Sequence, residues 1–520
     1  MIKTNGSTIV NRRDVLALGT SAAALAVTGR QAAAAQPKKG GTLRVGLTSS
    51  GTSDSLDPAT WSSSIMQVGF TGGVYNCLTE VSETGELTPE LAESWEASSE
   101  GASTWIFNLR KGVEFHNGKT LDAEDVIASI NYHRDENSKS AAKGIVSAIA
   151  DIKADGKDKI VFKLVGPNAD FPFLLSDYHL VITPSVDGKP NWQSAVGTGG
   201  YVVVTNDPGV RVTLKRQPNY WKSGRAHFDE AQLIAIGDVA ARQNALVTGE
   251  VDVINKVDLR SLQILKRDDI VIEEVTGTQH YSMPMNTKLA PFDNNDVRLA
   301  LKYAIDREAL VNLLLRGHGR VANDHPISPS NRFFAKDLPQ RVYDPEKARF
   351  HLKKAGVDTL KLSLSAANAA FAGAIDAATL FHEQAAKAGI TIEVVTEPDD
   401  AYWSNVWMKK PFVVSYWGGR PTEDWMFSQV YASNSKWNES FWSNATFDKL
   451  LLEARAELDD NKRRDLYVQM QGIVRDEGGS IIPMYANYVD ARSTRVTHGE
   501  KIASNWELDG RKLLERWWAA

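Results

Sequence analysis

The sequence predicts an α/β protein with two or more domains, and three observations support that prediction. Segments with the period-two alternation of a strand are interspersed with segments whose apolar residues recur at helical spacing. Residues 91–126 contain both patterns, because Trp105, Phe107 and Leu109 fall on one face of a strand and Asp122 begins a helix. After an N-terminal export signal, residues 36–520 are more than one hydrophobic core usually supports.

The first half of the chain is expected to be rich in short strands. Helices are predicted over 65–78, most of 121–146, and 240–248, the last ending before Gly249. The strand pattern recurs at 42–47, 160–164, 202–204, 210–216, 251–254 and 271–275, and Gly277 is expected to break the last strand.

From Met285 onward the pattern favours longer helices. Residues 285–314 begin with a turn and continue as one long amphipathic helix, with Val297, Leu301 and Ile305 on the same face. Further strands are predicted at 360–364, 390–395, 412–416 and 481–485, and helices over about 371–388 and 447–476.

Residues 1–35 have the organisation of a cleavable export signal. A basic start is followed by an apolar, alanine-rich stretch over 15–27 and by an A-x-A pattern before Gln36. That stretch is too short to span a bilayer, which needs ~20 residues. Arg12 and Arg13 resemble a twin-arginine signal, which exports folded proteins. Val15 stands where that signal usually has phenylalanine, so the ordinary export route for unfolded chains stays open.

Composition limits the partners. The chain has 59 basic and 64 acidic residues, and residues 1–35 hold four of the basic ones and one acidic one. Residues 36–520 therefore carry 55 basic and 63 acidic residues, a net −8, which argues against nucleic acid and anionic membranes as partners. Cys77 is the only cysteine, so it is expected to be buried, with no intramolecular disulfide and no lipid anchor near the mature N-terminus. These features suit a soluble protein of a Gram-negative periplasm.

No motif for catalysis, cofactor binding or metal binding is legible. The glycine-rich stretch 197–201 lacks the third glycine of a dinucleotide loop and leads into a strand instead of a helix. His382 lacks the second histidine of a zinc-protease helix, and no G-x-S-x-G elbow occurs. We therefore expect no cofactor, no metal and no enzymatic activity.

Blocks along nearly the whole mature chain resemble, in order, the large periplasmic solute-binding proteins that feed peptide, nickel and opine ABC importers (family 5). The likeness is carried by residues 91–126 and by these blocks: VYNCLTEVSETGELTPELAESW at 74–95, GTGGY at 197–201, QPNYW at 217–221, ALVTGEVDVI at 245–254, PFDNNDVRLALKYAIDRE at 291–308, YDPEKARFHLKKAG at 343–356 and IIPMY at 481–485.

The resemblance implies a two-lobed periplasmic binding protein fold of type II, from the large cluster with an extra subdomain. Lobe I would comprise 36–284 and 486–520, and lobe II would be 285–485. The crossings near Met285 and Tyr485 would then form the hinge, although the sequence also allows ordinary loops there. A monomer would enclose a small ligand between its lobes and present the closed form to the permease subunits of an ABC importer.

The loop at 415–427 is expected to decide specificity. It resembles the family's G-W-x-x-D-x-x-D-P loop, in which the first aspartate pairs with the ammonium of a peptide. Trp417 matches the tryptophan, but Arg420 occupies the position of that aspartate. A guanidinium grips carboxylates in a bidentate manner, so the exchange favours an anionic solute such as an opine. The alternative is that Arg420 pairs internally with Glu423 or Asp424.

Other candidate ligand residues surround this loop in the sequence or belong to the other lobe. Glycines would let ligand approach the backbone, aromatic rings would form its walls, and Asp424 would hold an ammonium if the protein were a plain dipeptide or oligopeptide carrier. The set comprises Gly418, Gly419, Tyr416, Trp403, Trp442, Asp424, Trp61, His280 and Tyr281. An exported enzyme on the same fold and a binding protein for a chemoreceptor are the remaining alternatives.

Overall fold

The computed structural model describes residues 37–98 and 101–520, so the predicted export signal lies outside the described residues. The strands are β1 Thr42–Leu47, β2 Thr79–Val81, β3 Leu87–Pro89, β4 Ala92–Ser98, β5 Gly101–Leu109, β6 Ile149–Ala154, β7 Lys159–Leu164, β8 Ser185–Val186, β9 Lys189–Pro190, β10 Tyr201–Asp207, β11 Arg211–Arg216, β12 Glu230–Ala235, β13 Val253–Ile254, β14 Ile270–Pro284, β15 Gly319–Val321, β16 Leu360–Ala366, β17 Ile390–Thr396, β18 Ser415–Trp417, β19 Ser480–Ser493, β20 Val496–Thr497 and β21 Trp518–Ala519.

Helices cover the faces and ends of these sheets. They are α1 Ser64–Phe70, α2 Ala123–Arg134, α3 Lys143–Val146, α4 Phe171–Leu174, α5 Val239–Thr248, α6 Asn295–Tyr303, α7 Arg307–Leu314, α8 Pro345–Lys354, α9 Ala374–Ala386, α10 Tyr402–Asn405, α11 Glu423–Met426, α12 Ala445–Ala456, α13 Asp460–Glu477, α14 Glu507–Gly510 and α15 Leu513–Arg516. Within the described ranges, no helix is long and apolar enough to cross a bilayer.

Most predicted elements are confirmed, and several of the errors concern where helices end. The long helix predicted over 285–314 is two helices, because Asp306 caps α7 by accepting a hydrogen bond from the Ala309 N–H. The helix predicted over 447–476 is likewise divided into α12 and α13, and Asp459 caps the second. Helix α1 ends at Phe70, ahead of Gly72, instead of continuing to residue 78.

The largest sheet joins the two ends of the chain to its middle. Its strand order is β10-β11-β12-β1-β13-β19-β14-β18, and β15 also pairs with β19. Strand β1 is parallel to β12 and β13, whereas β19 is antiparallel to β13 and β14. Strand β19, near the C-terminal end of the chain, is therefore separated from β1 by only one strand, β13.

Strands β14 and β19 are the longest in the sheet and pair along nearly their whole length. Gly277 does not end β14, contrary to the prediction, and only shifts the register between Val275 and Gln279. Tyr485 lies inside β19, not in a loop. The residues predicted to form a hinge are thus part of a continuous two-stranded ribbon with a local irregularity.

Buried apolar residues form five hydrophobic cores in the described part of the chain. Three of them draw their buried residues from 43–270 and 489–517, and one of these lies against the four-stranded sheet β4-β5-β7-β6. The other two draw theirs from 283–486. Packing therefore changes partner near the C-terminal end of β14 and within β19.

The irregularity in the ribbon leads to a stability prediction about two glycines. A Cβ atom at Gly277 would lie 2.8 Å from the Ala486 carbonyl oxygen and 3.0 Å from the Tyr488 ring, whereas one at Gly472 in α13 would meet Leu338 at 3.9 Å. We expect Gly277→Ala to lower the free energy of unfolding by about 1–3 kcal/mol through overpacking. Gly472→Ala, the matched control, should raise it by about 1 kcal/mol through helix propensity.

Urea denaturation at constant slope measures both effects. Equal midpoints for the two variants would contradict the close packing of the ribbon at Gly277.

Candidate functional site

The loop that follows β18 is positioned by the pairing of β18 with β14. His280 lies opposite Trp417, and Tyr281 lies opposite Tyr416. Side chains of directly opposed residues share a face of the sheet, and successive residues alternate between faces. Four of the predicted site residues are thus brought together in two pairs, one on each face.

One face carries an exposed aromatic surface. The Tyr281 ring stacks on Phe371 with centroids 3.9 Å apart, and the Tyr416 and Trp403 rings meet at 5.6 Å. Tyr416 is 42% exposed and Trp403 39% exposed, which is unusual for rings of this size. These predicted residues therefore form a wall available to a ligand.

The opposite face is buried and polar. His280 is fully buried, and neither ring nitrogen has a hydrogen-bond partner among the described residues. Burial, the Arg420 charge and His325 together lower the pKa of His280 to about 3. This imidazole is therefore neutral at physiological pH, and it supports the loop without adding charge.

The two glycines of the loop have different surroundings. A Cβ atom at Gly419 would lie 1.6 Å from the Thr278 hydroxyl oxygen, so this glycine is required for the loop to pack on β14. A Cβ atom at Gly418 would find only the Arg420 guanidinium, at 3.8 Å. Gly418 therefore leaves room for a ligand, whereas Gly419 serves packing.

Arg420 is held by the loop itself and does not pair with the acids near it in sequence. Its Nε donates to Gln429 Oε1 at 2.7 Å, and its Nη1 donates to the Gly418 and Gly419 carbonyl oxygens at 3.1 and 3.0 Å. Burial lowers the pKa of Arg420, and the Asp177 charge opposes that change. The ordinary pKa of an arginine is so high that the group stays charged.

The acids predicted as alternative partners of Arg420 are engaged elsewhere. Glu423 accepts a hydrogen bond from the Phe333 N–H at 2.6 Å, and Asp424 pairs with Arg455 at 2.9 Å. The internal-pairing alternative is therefore wrong in this structure. Asp424 is also buried against its own partners, so its predicted role toward a ligand ammonium has no geometric support.

Two other predicted residues occupy cores. Trp61 is 1% exposed, packs on Phe70 and Tyr75, and donates its indole N–H to the Ser55 carbonyl. Trp442 is buried against Phe447. Both were proposed as ligand walls, and both are corrected to core residues because their rings are enclosed by other apolar side chains.

A small cavity lies beside Arg420, between the loop and distant parts of the chain. Its volume is about 30 Å³, room for one or two water molecules. Its walls come from residues 71–90, from the segment after α4, from the loop that includes Trp425 and from residues 505–512. They include Cys77, Glu80, Glu90, Asp177, Tyr178, Pro421, Trp425, Trp506, Arg511 and Lys512.

Arg511 is one of several charged residues that line this cavity and that the sequence did not predict. Its guanidinium carbon lies 4.5 Å from the centroid of the Tyr178 ring and 4.2 Å from that of Trp506. It is carried by a left-handed turn, with φ of 52° at Leu508, 60° at Asp509 and 65° at Arg511. Such backbone costs about 1–2 kcal/mol per non-glycine residue.

The floor of the cavity is a network of buried charges. The Lys222 ammonium contacts Glu80, Glu90 and Glu515 at 2.5–2.8 Å, and Lys512 contacts Glu90 at 2.8 Å. Oxygens of the three glutamates lie within 4.8 Å of one another, as in a metal site. The two ammonium groups and the Arg516 guanidinium, which contacts Glu80 at 2.6 Å, already neutralise them, so the network fits an internal salt-bridge cluster better than a cation site.

Direct contacts join the two sets of cores near the cavity. The Ala169 N–H donates to the Arg455 carbonyl oxygen at 2.8 Å. The buried side chains of Asp170 and Arg463 form an ion pair at 2.7 Å. These contacts connect the start of α4 with α12 and α13, whose buried residues belong to different cores.

Sequence signals for the missed residues were weak. Arg511 is one of many arginines, and nothing local shows that its segment folds back beside Tyr178. Trp506 and Trp425 were recognisable only as members of a tryptophan-rich chain. Their convergence depends on contacts between segments that are far apart in sequence.

Comparison with known proteins agrees with this architecture. Residues 86–439 match the family of bacterial extracellular solute-binding proteins, family 5 Middle. The dipeptide-binding protein of Escherichia coli (strain K12) is 26% identical over 500 residues, covering 86% of this chain and 93% of that protein. Heme-binding protein A of Haemophilus influenzae is 28% identical over 447 residues, covering 78% and 80%.

Solved structures share the fold. HbpA2 from Haemophilus parasuis has a TM-score of 0.79 at 23% identity, covering 90% of this chain and 99% of that one. The PBP AgaA from A. tumefaciens R10, in complex with agropinic acid, has a TM-score of 0.74 at 24% identity, covering 92% and 99%. The fold is thus the two-lobed, type II periplasmic binding protein fold, and the chain belongs to the family 5 solute-binding proteins of ABC importers.

Proposed function

We propose that this protein captures a small carboxylate-bearing solute, an opine or a similar amino-acid conjugate, and delivers it to the permease of an ABC importer. It would do so as a monomer in the periplasm of a Gram-negative bacterium, after export by the twin-arginine route. Binding would consist of lobe closure around the solute, with no bond made or broken.

Arg420 is the observation that carries the preference for an anion. It stands in the loop at the position where the peptide-binding pattern has an acid, and its hydrogen bonds found among the described residues use only Nε and Nη1. The remaining Nη2 is a charged donor suited to a carboxylate oxygen. AgaA, whose structure was solved with agropinic acid, supports an opine as the kind of solute to test first.

Lobe closure is supported by the size of the cavity and by the division of the cores. A space of about 30 Å³ cannot hold an amino-acid conjugate, so a ligand requires the walls to separate. We propose that the walls move with lobes comprising 36–284 with 486–520, and 285–485. The ribbon of β14 and β19 would bend at the register shift near Gly277.

A plain peptide carrier is the alternative, and the dipeptide-binding relatives favour it. Such a protein needs an acid for the peptide ammonium. Glu423 and Asp424, the nearby acids in the loop, are both buried and engaged with protein groups. This geometry makes the peptide carrier the second choice.

A ligand panel tests the preference for an anion. At a hundred times its dissociation constant, a ligand should add ~2.7 kcal/mol to the free energy of unfolding, seen as a rise in the melting temperature. We expect the rise with agropinic acid or octopine, and a tenfold to hundredfold loss of affinity, about 1.5–3 kcal/mol, in Arg420→Ala. Arg211→Ala, which removes an exposed arginine in β11, should bind like the wild type. If dipeptides raise the melting temperature, and still do so in Arg420→Ala, the protein is a peptide carrier.

The adjacent glycines provide a second test, independent of charge. Gly419→Ala places its methyl group against Thr278 and must displace the loop, so affinity should fall at least about tenfold, roughly 1.4 kcal/mol. Gly418→Ala leaves the packing unchanged and places a methyl group where ligand approaches, so it should change selectivity between short and bulky acids. Titration calorimetry of both variants measures this. Identical affinities for all ligands in both would show that the loop does not contact the solute.

The Asp170–Arg463 pair tests lobe opening. Arg463→Met leaves the Asp170 carboxylate buried and unpaired where the proposed lobes touch, which raises the free energy of the closed form. Opening of the lobes removes this cost, because water then hydrates the carboxylate. We expect weaker ligand binding, a larger radius of gyration in small-angle scattering, and little change in unfolding free energy. Asp170→Asn combined with Arg463→Met should recover part of the affinity. A loss of about 3–5 kcal/mol of stability would show instead that this contact stays closed in the free protein.

A further inference from the structure

We propose that Arg511, which lines the cavity, is a second anion-binding residue, and that the carboxylate of the ligand is held between Arg511 and Arg420, the residue before Pro421 of the cavity wall. This inference rests on the proposed function and deepens it. It assigns a ligand role to the C-terminal segment and makes the anion the group that draws the lobes together.

The hydrogen-bonding state of Arg511 is the main evidence. The side chain is 8% exposed, yet its Nε and Nη1 have no hydrogen-bond partner within the described part of the chain. A buried donor left unsatisfied costs free energy, and more when it is charged. The rings of Tyr178 and Trp506 pack on the guanidinium, and its contact with the Tyr178 side chain leaves Nε and Nη1 without a partner.

Other buried arginines of this protein contact an acid or backbone carbonyl oxygens, although single nitrogens of some of them also lack a hydrogen bond. Arg307 pairs with Asp324 at 2.6 Å, and Arg516 pairs with Glu80 at 2.6 Å. Arg242, which faces no acid so closely, donates to backbone carbonyls instead. Arg511 differs from these because its free N–H groups adjoin the cavity where a ligand is expected.

The two arginines act on the same neighbouring groups. Arg420 lies 5.7 Å from the ring of Trp425, which lines the cavity together with Arg511. Both charges act on the phenol groups of Tyr178 and Tyr488. Burial raises the pKa of each phenol, and the charges of Arg511 and Arg420 oppose that rise. A carboxylate between the walls therefore has a planar fork of donors on either side.

Acids near this space do not replace the ligand. Asp177 acts on both arginines electrostatically, but its Oδ1 accepts hydrogen bonds from the His179 N–H and faces His179 Nδ1 at 2.7 Å. Glu507 accepts from Asn255 at 3.2 Å and lies 3.7 Å from Lys256. One ligand anion would complete the balance of charge.

The arrangement explains how binding is coupled to closure. Bringing two guanidinium groups together costs free energy when they share a dry space, and an anion between them reverses the sign of that interaction. The ligand thus has higher affinity for the closed form, which is the condition for a ligand to shift the population toward it. The strained turn at 508–511 supplies the geometry that directs Arg511 into the cavity.

Titration calorimetry with agropinic acid and octopine tests the role of Arg511 directly. We expect Arg511→Gln and Arg420→Gln each to weaken binding about tenfold to hundredfold, and Arg211→Gln to leave it unchanged. The double variant Arg420→Gln with Arg511→Gln should lose less than the product of the single losses, because both groups act on one carboxylate. Binding by Arg511→Gln within about twofold of the wild type, while Arg420→Gln is weakened, would overturn this inference and leave the proposed function intact.

If neither acid binds the wild type, that result counts against the proposed function. The role of Arg511 is then decided by measurements on the ligand-free protein. A ligand anchor is an unneutralised charge in the free protein, so Arg511→Gln should keep or raise the melting temperature and reduce the radius of gyration. A structural role through the two aromatic rings predicts the opposite, a lower melting temperature, and that result would overturn the inference. Arg511→Lys retains the charge without the planar fork, so it should resemble the wild type in the free protein and bind weakly.

Discussion

The antiparallel pairing of β14 with β19 is the interaction on which the rest of the structure depends. It is the one long ribbon that extends past both sets of hydrophobic cores, and β18 joins it as an edge strand. Through β18 it fixes the loop that carries Arg420, and through β13 and β1 it reaches the segments on the other side of the cavity. A small bend of this ribbon would therefore move the two walls of the site relative to each other.

Charge is distributed around the site in two different ways. The floor of the cavity is an internally neutralised cluster, in which Lys222 and Lys512 are matched by glutamates, and it contributes a fixed polar surface. Arg420 and Arg511 form no ion pair of that kind within the described ranges, and Arg511 keeps two nitrogens without a hydrogen-bond partner. The proposed recognition of an anion depends on this difference between satisfied and unsatisfied charge.

Local patterns were sufficient to predict most strands and helices, because alternation and helical spacing are properties of short segments. They could not show that Asp306 and Asp459 would cap new helices within segments predicted to be single helices. They also could not show that β14 would continue past Gly277 with only a shift of register. In the site, resemblance to a family pattern located Arg420. Arg511 was out of reach, because its burial arises only when the C-terminal turn packs beside Tyr178.

Calorimetry with an acid and its amide tests whether the ligand is held by its carboxylate. An acid that raises the melting temperature is titrated into the wild-type protein, and its primary amide, which has the same shape without the charge, is titrated in parallel. We expect the amide to bind at least about a hundredfold more weakly, a difference of roughly 2.7 kcal/mol. Equal affinities for the acid and the amide would contradict it, because the guanidinium groups would then play no part in recognition.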